Sequence, residues 1–128
     1  MTPVEQFLVY RADTEANVFR REGHYWTLAY SGTLVRLRDS KGLRDIAKLI
    51  ERSGSTLHVS ELASASASAN SRSAEEIERA RVAVTMRIRN ALGRIRREHH
   101  ALGQHLSHAI KTGTSCTYEP EIPTIWKL

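Results

Sequence analysis

The sequence predicts a mixed α+β domain, and three observations lead to that fold class. Residues 17–39 alternate apolar and polar side chains, which is typical of short strands with one buried face. In later stretches apolar residues recur every three or four positions, which is typical of helices packed on a core. The 128 residues, 41% hydrophobic and 26% charged, suit one compact domain. We assign residues 17–128 to that domain and residues 1–16 to an N-terminal arm.

A small antiparallel sheet is predicted first. Three runs form it, VFRR, YWTLAY and TLVRLRD, and they are separated by the pairs Glu22-Gly23 and Ser31-Gly32. Pairs that contain glycine favour the tight turns of hairpins. Trp26, Leu28 and Tyr30 share one face of the middle strand, because side chains alternate along a strand. We interpret Trp26, Tyr25 and Tyr30 as core, the alternative being a platform on which bases stack.

A core helix is predicted next, over residues 41–53. Asp39 and Ser40 are suited to cap its N-terminus, and Ser53-Gly54 to end it. Its buried face has the spacing of Leu43, Ile46, Ala47 and Ile50. A short strand at residues 56–59 and a short helix from Ser60 follow. The Ser/Ala-rich stretch at residues 63–73 has too little apolar surface to pack, so we expect a mobile loop there.

The longest helix is predicted over residues 74–98. It begins with Ser73-Ala74-Glu75-Glu76, the spacing of a capping box, in which Ser and Glu side chains satisfy free amides of the first turn. At 100° per residue one narrow stripe of the helix is apolar, as expected of a face packed on the core. The stripe consists of Ile77, Ala80, Val84, Ile88, Ala91, Leu92 and Ile95.

This helix carries most of the positive charge of the chain. Between Arg79 and Arg97 there are seven arginines and no carboxylate, so the segment holds +7 and leaves −2 for the rest of a chain whose net charge is +5. Solvated helix faces usually mix acids with bases, because oppositely charged pairs three or four residues apart stabilise a helix. The uncompensated arginines therefore favour an anionic partner, nucleic acid ahead of an acidic protein, over a solvated face with no partner.

The C-terminal part predicts one more helix and two strands. The helix spans residues 102–110 and ends at Lys111-Thr112-Gly113, where glycine suits a helix C-terminus. Strands at 115–118 and 124–126 form a hairpin, with Pro120 and Pro123 in the turn. The whole order of elements is compatible with a winged helix-turn-helix, in which a basic helix enters the major groove and the hairpin wing touches the flanking backbone.

Two stretches resemble a known regulatory module. They are GHYWTLAYSGTLVRLRDSKGLRDIAKLIERSGSTLHVSEL and ERARVAVTMRIRNALGRIRREHHALGQHLSHAIKTGTSCTYEP, within residues 18–128. They are similar to a C-terminal module of actinobacterial transcriptional regulators, often found after ATPase, cyclase or tandem-repeat domains. The second stretch also resembles the response-regulator type of winged helix, through Ile110, Thr112, Gly113 and Tyr118. The resemblance implies a winged helix-turn-helix that controls transcription by binding DNA.

Other classes of function are disfavoured. The sequence holds no P-loop, G-x-G-x-x-G, H-E-x-x-H or G-x-S-x-G motif, so we expect no enzyme and no cofactor. The histidines at positions 99, 100, 105 and 108 lack the ligand spacings of zinc sites, so we expect no metal. The lone Cys116 is interpreted as a small buried residue. Without a signal-peptide pattern or an apolar run of about 18 residues, we expect a cytoplasmic protein that binds no membrane.

The resulting hypothesis is a sequence-specific transcriptional regulator that binds double-stranded DNA through the arginine-rich helix. Arg89 or Arg97 would donate to guanine and Asn90 would pair with adenine, while Arg87 and Arg94 would touch phosphates. The predicted DNA-binding residues are Arg79, Arg87, Arg89, Asn90, Arg94, Arg96, Arg97, Lys111 and Lys127.

A homodimer is expected, because one winged helix contacts only one half-site. Its predicted seam is an apolar cluster in the N-terminal arm, formed by Val4, Phe7, Leu8 and Tyr10. The alternative function is a protein-interaction or dimerisation module that links a signalling partner to the transcription machinery.

Overall fold

The computed structural model describes residues 16–63 and 73–128. The predicted dimer seam and most of the predicted Ser/Ala loop lie outside these ranges. Within them the α+β class is confirmed, with four helices and seven strands. The elements are β1 (Asn17–Glu22), β2 (Tyr25–Tyr30), β3 (Thr33–Arg38), α1 (Lys41–Glu51), β4 (Thr56–His58), α2 (Val59–Ala63), α3 (Ala74–Glu98), α4 (His100–Ala109), β5 (Ile110–Lys111), β6 (Ser115–Tyr118) and β7 (Trp126–Lys127).

The predicted N-terminal sheet is confirmed as an antiparallel meander of β1, β2 and β3. Ser31 and Gly32 both have positive φ, at 52° and 86°, which the tight turn between β2 and β3 requires. Trp26 and Leu28 are buried on the inner face, whereas Tyr25 is 46% exposed on the outer one. The inner face of this sheet therefore belongs to the core, as predicted for Trp26, whereas the prediction that Tyr25 is also a core residue was wrong.

The predicted core helices also form. Ser40 caps α1, its hydroxyl accepting from the amide of Leu43 at 3.3 Å. Ser73 caps α3, its hydroxyl accepting from the amide of Glu76 and donating to the Glu76 carboxylate, both at 3.2 Å. The apolar stripe of α3 faces the core, because five of its residues are buried and Ile77 and Leu92 pack against them.

The predicted C-terminal hairpin was wrong in its pairing, because its first strand belongs to a second sheet. β6 does not pair with the segment at 124–126; it lies between β4 and β5, antiparallel to both. The hairpin is formed by β5 and β6, and Gly113 lies in its turn instead of ending a helix. The reason is that α4 passes directly into extended backbone at Ile110, its C-cap residue.

The last strand pairs elsewhere. β7 runs parallel to β1, with Trp126 opposite Asn17. Trp126 packs against Phe19 and stacks on Tyr30, with ring centroids 6.2 and 5.9 Å apart. This aromatic contact places the C-terminal strand in the first sheet, so its backbone does not pair with the β5–β6 hairpin.

A cluster of aromatic and histidine side chains joins the two sheets through α4. The Tyr118 hydroxyl accepts from the Trp126 indole at 3.0 Å and lies 2.6 Å from Nε2 of His105. His99 is held as the Nε2–H tautomer, because Nε2 faces the carbonyls of Tyr30 and Thr33 while Nδ1 accepts from the Leu102 amide. His99 is therefore a buried N-cap of α4, and the half-buried His105 packs against Tyr118 and Trp126.

Candidate nucleic-acid interface

Two glycines fix the position of α3 in the fold. A Cβ on Gly42 of α1 would lie 2.8 Å from the Ala91 Cβ, and nearer still to the Arg87 carbonyl. A Cβ on Gly103 of α4 would lie 2.6 Å from the Arg96 Cα. Backbones approach this closely only where no side chain intervenes. Helix α3 is thus held tightly between α1 and α4, and its opposite face is left outward.

The outward face of α3 has the composition that the sequence predicted. Val82 and Met86 are 47% and 54% exposed, and Asn90 is exposed between them and the C-terminal end. Arg79, Arg89, Arg96 and Arg97 are also exposed. Guanidinium groups, the Asn90 amide and the Met86 thioether therefore lie together on one accessible face of α3.

Two of the seven arginines are neutralised by carboxylates. Arg81 pairs with Glu78 one turn earlier, at 2.6 Å. Arg87 makes a bidentate contact with Asp45 of α1, at 2.9 and 3.0 Å, and also donates to the Leu62 carbonyl at 3.2 Å. The hypothesis that Arg87 contacts phosphate is therefore revised, because Asp45 and the Leu62 carbonyl already bind its guanidinium.

The burial of Asp45 explains why the Arg87 guanidinium lies beside it. The Asp45 residue is only 5% exposed, and this burial raises the pKa of its carboxyl, an effect that the adjacent Arg87 opposes. A buried carboxylate without a cation would be strongly unfavourable. The pair links α1, the end of α2 and the middle of α3, so it positions the helix.

Five arginines remain without a carboxylate partner among residues 16–63 and 73–128. Arg94 donates to the Arg38 carbonyl at 3.1 Å, and Arg96 to the Ser107 hydroxyl at 2.6 Å. Both contacts orient a guanidinium and leave its charge uncompensated. The five are Arg79, Arg89, Arg94, Arg96 and Arg97.

The two predicted lysines are not brought together. Lys111 is exposed on β5, in the hairpin that follows α4. Lys127 is exposed on β7, at the edge of the first sheet, because β7 pairs with β1. The structure thus gives the hairpin one of the two lysines expected there.

The acids that pair with two of the arginines were not identified from the sequence. Glu78 stands three residues before Arg81, and this spacing is visible in the sequence. Asp45 lies on the apolar side of α1, where a carboxylate requires a nearby cation. The identity of that cation could not be inferred, because Arg87 is 42 residues away.

Other candidate sites have a structural explanation. Cys116 is 1% exposed on β6, and burial raises the pKa of its thiol, which is the opposite of the change that activates a nucleophile. Burial lowers the pKa of His105, in line with its place beside Tyr118. In the described ranges no three His, Cys, Asp or Glu side chains come close enough together to bind a metal ion.

Comparison with known proteins gives no assignment: no protein-family model matches the chain, and no curated protein or solved structure matches it either. None of the helices in the described ranges combines the length and the apolar character needed to cross a membrane.

Proposed function

We propose that the protein is a sequence-specific regulator of transcription, of winged helix-turn-helix type, that binds double-stranded DNA through the outward face of α3. The observation that carries this proposal is a helix with four exposed arginines, Arg79, Arg89, Arg96 and Arg97, and a half-buried Arg94, none of which has a carboxylate partner among the described residues. Arginine is the side chain that most often donates to guanine and to phosphate. Asn90 and Met86 add groups suited to adenine and to the thymine methyl.

The order and pairing of the elements support the winged-helix part of the proposal. Helices α1, α2 and α3 follow one another, with β4 between the first two, and β4 pairs with the hairpin that follows α4. In a winged helix a hairpin stands beside the basic helix and touches the backbone of the same duplex. Lys111 on β5 suits that contact. Helix α4, which the sequence predicted over residues 102–110, lies between α3 and the hairpin.

Selection from a random duplex library, followed by sequencing, tests the proposal. A recurring sequence motif, retained against competitor DNA in a mobility-shift assay, is the expected result. Failure to enrich any sequence and failure to retain DNA at low salt would together contradict it.

The decisive variant replaces Arg79, Arg89, Arg94 and Arg97 with alanine. Arg87 is left in place, because its loss would disturb the packing of α3. We expect this variant to keep the wild-type circular dichroism and to lose affinity for the selected DNA. If affinity is unchanged, α3 is not the element that contacts DNA.

A second candidate is a module that binds a protein of the transcription machinery. It is favoured by apolar side chains left in solvent near the C-terminus, since Ile122 and Ile125 are 77% and 86% exposed. Exposed apolar groups are often found at protein interfaces. If no DNA is retained at low salt, this candidate replaces the first.

A further inference from the structure

Strand β3 presents an unused basic surface at the free edge of the first sheet. The strand order β3-β2-β1-β7 leaves β3 with one paired side. Val35 and Leu37 pack against the core, while Leu34, Arg36 and Arg38 alternate with them and are exposed. The side chains of Arg36 and Arg38 therefore leave the same side of the strand, with Cα atoms about 7 Å apart.

This surface is poorly neutralised. Arg36 lies 3.6 Å from Glu22, but the two side chains are 59% and 43% exposed, and such pairs contribute little in water. Arg38 has no carboxylate partner among the residues that the structure describes. Arg20 occupies the same cross-strand row as Arg36, with only Thr27 between them. Three guanidinium groups thus share the outer face of this sheet with one weakly held acid.

Arg94 connects this surface with the arginine helix. Its guanidinium donates to the carbonyl of Arg38 at 3.1 Å, so the basic side of α3 reaches the end of β3. A carbonyl carries no net charge, and Arg94 remains cationic beside Arg38. Asp39 follows Arg38, but its carboxylate is already paired with Arg21 and Arg44, so the positive surface of the helix continues onto the strand.

We propose that Arg36 and Arg38 bind backbone phosphates of a duplex, next to the segment that α3 contacts. This inference rests on the proposed function and extends the DNA-binding surface to an edge strand. Contacts of this kind add affinity for any sequence and fix the position of the protein on the duplex. An acidic protein segment is the competing occupant of the same surface.

The test is the salt dependence of DNA binding, measured by fluorescence anisotropy with a mixed-sequence duplex of about 30 base pairs. Each phosphate contact contributes about −0.9 to the slope of log K against log salt. The double variant R36A/R38A should therefore have a slope shallower by about 1.8. The matched control K48A/R52A removes two exposed cations, one in the last turn of α1 and one directly after it, and its slope should change much less. Circular dichroism checks that both variants keep the fold.

The outcomes separate this inference from the proposed function. If R36A/R38A behaves like K48A/R52A while R89A/R97A loses affinity, the edge strand does not contact DNA and the proposed function stands. If the wild type does not bind the duplex, both fail. A parallel titration with poly-L-glutamate identifies the competing occupant: loss of that binding in R36A/R38A, with duplex binding intact, would overturn the inference in favour of an acidic protein partner.

Discussion

Arg87 and Arg89 are two residues apart on α3, yet they have opposite surroundings. Arg87 is held by Asp45 and the Leu62 carbonyl, whereas Arg89 is exposed and has no partner among the described residues. Two arginines of the same helix can therefore differ in role: one is bound by another part of the protein, and the other is left accessible to a partner. Whether the fold places a carboxylate beside an arginine determines which of the two roles it has.

Replacing Arg87 with alanine should destabilise the protein by about 3 kcal/mol, because it leaves the buried Asp45 carboxylate without a cation. Arg89→Ala is the matched control and should change the free energy of unfolding by less than about 0.5 kcal/mol. Urea denaturation measures both. The double variant D45L/R87M should recover most of the loss, since an apolar pair avoids the unpaired charge. Equal stability of the two single variants would contradict the assignment.

Asp39 gives a pH-dependent prediction. Hydrogen bonding by Arg44, helped by the Trp26 indole and the charge of Arg21, lowers the pKa of Asp39 from 3.8 to about 2. A lowered carboxyl pKa contributes stability that is present above about pH 4 and is lost as the pH falls toward 2. Asp39→Asn should therefore cost about 1–2 kcal/mol near pH 7, and the difference from wild type should shrink below pH 4. Urea denaturation at several pH values checks it, and a gap independent of pH would refute it.

The elements differ in how far the sequence could predict them. Strands β1 to β3 and helices α1 and α3 depend on local patterns of alternation, capping and apolar spacing, and the structure confirms them. β5 and β7 are two residues long, and their partners are set by packing with distant segments, such as Trp126 on Tyr30. No local pattern encodes those partners, so the predicted hairpin was wrong in its pairing.

The same distinction applies to the candidate site. The outward face of α3 follows from the helical repeat, which places Arg79 and Arg97 opposite the apolar stripe. The pairing of Arg87 with Asp45 depends on how closely α1 approaches α3, which Gly42 permits. A glycine inside a helix has the same local pattern whether it allows a close contact or not. Tertiary contacts therefore had to be known before the paired arginines could be distinguished from the unpaired ones.

Gly103→Ala tests the close packing of α3 and α4. The new methyl would lie 2.6–2.9 Å from backbone and Cβ atoms of Arg96, which cannot move without shifting the helix. Overpacking of this kind should cost about 1–3 kcal/mol. Gly93→Ala is the control, because a Cβ there meets nothing within 4 Å and alanine has the better helix propensity. Thermal denaturation should show a lower Tm for the first variant and an equal or higher Tm for the second; a neutral Gly103→Ala would show that the helices are not in tight contact.

At the scale of the whole molecule the charge is unevenly distributed. The stretch from Arg79 to Arg97 holds more positive charge than the chain as a whole, whose net charge is +5. The fold then pairs Arg81 and Arg87 with carboxylates and leaves the other five arginines of α3 without a carboxylate partner among the described residues. A protein with this distribution meets an anionic partner in a preferred orientation, because the local potential and not the net charge directs the encounter.

The number of chains that bind one duplex depends on how much DNA a single chain covers. In the proposed complex one α3 helix would cover a few base pairs, which would limit both the affinity and the discrimination of a single chain. We therefore expect two chains on one duplex, and the selected sequences should contain two half-sites about 10 base pairs apart or a multiple of that spacing. Light scattering of the protein bound to the selected duplex should give a mass of two chains. The deletion of residues 2–10, which removes the predicted apolar seam, should weaken the second binding step and leave contacts within each half-site unchanged. A single unrepeated motif bound by one chain would show that the protein acts as a monomer, and that its affinity comes from the helix and its flanking contacts alone.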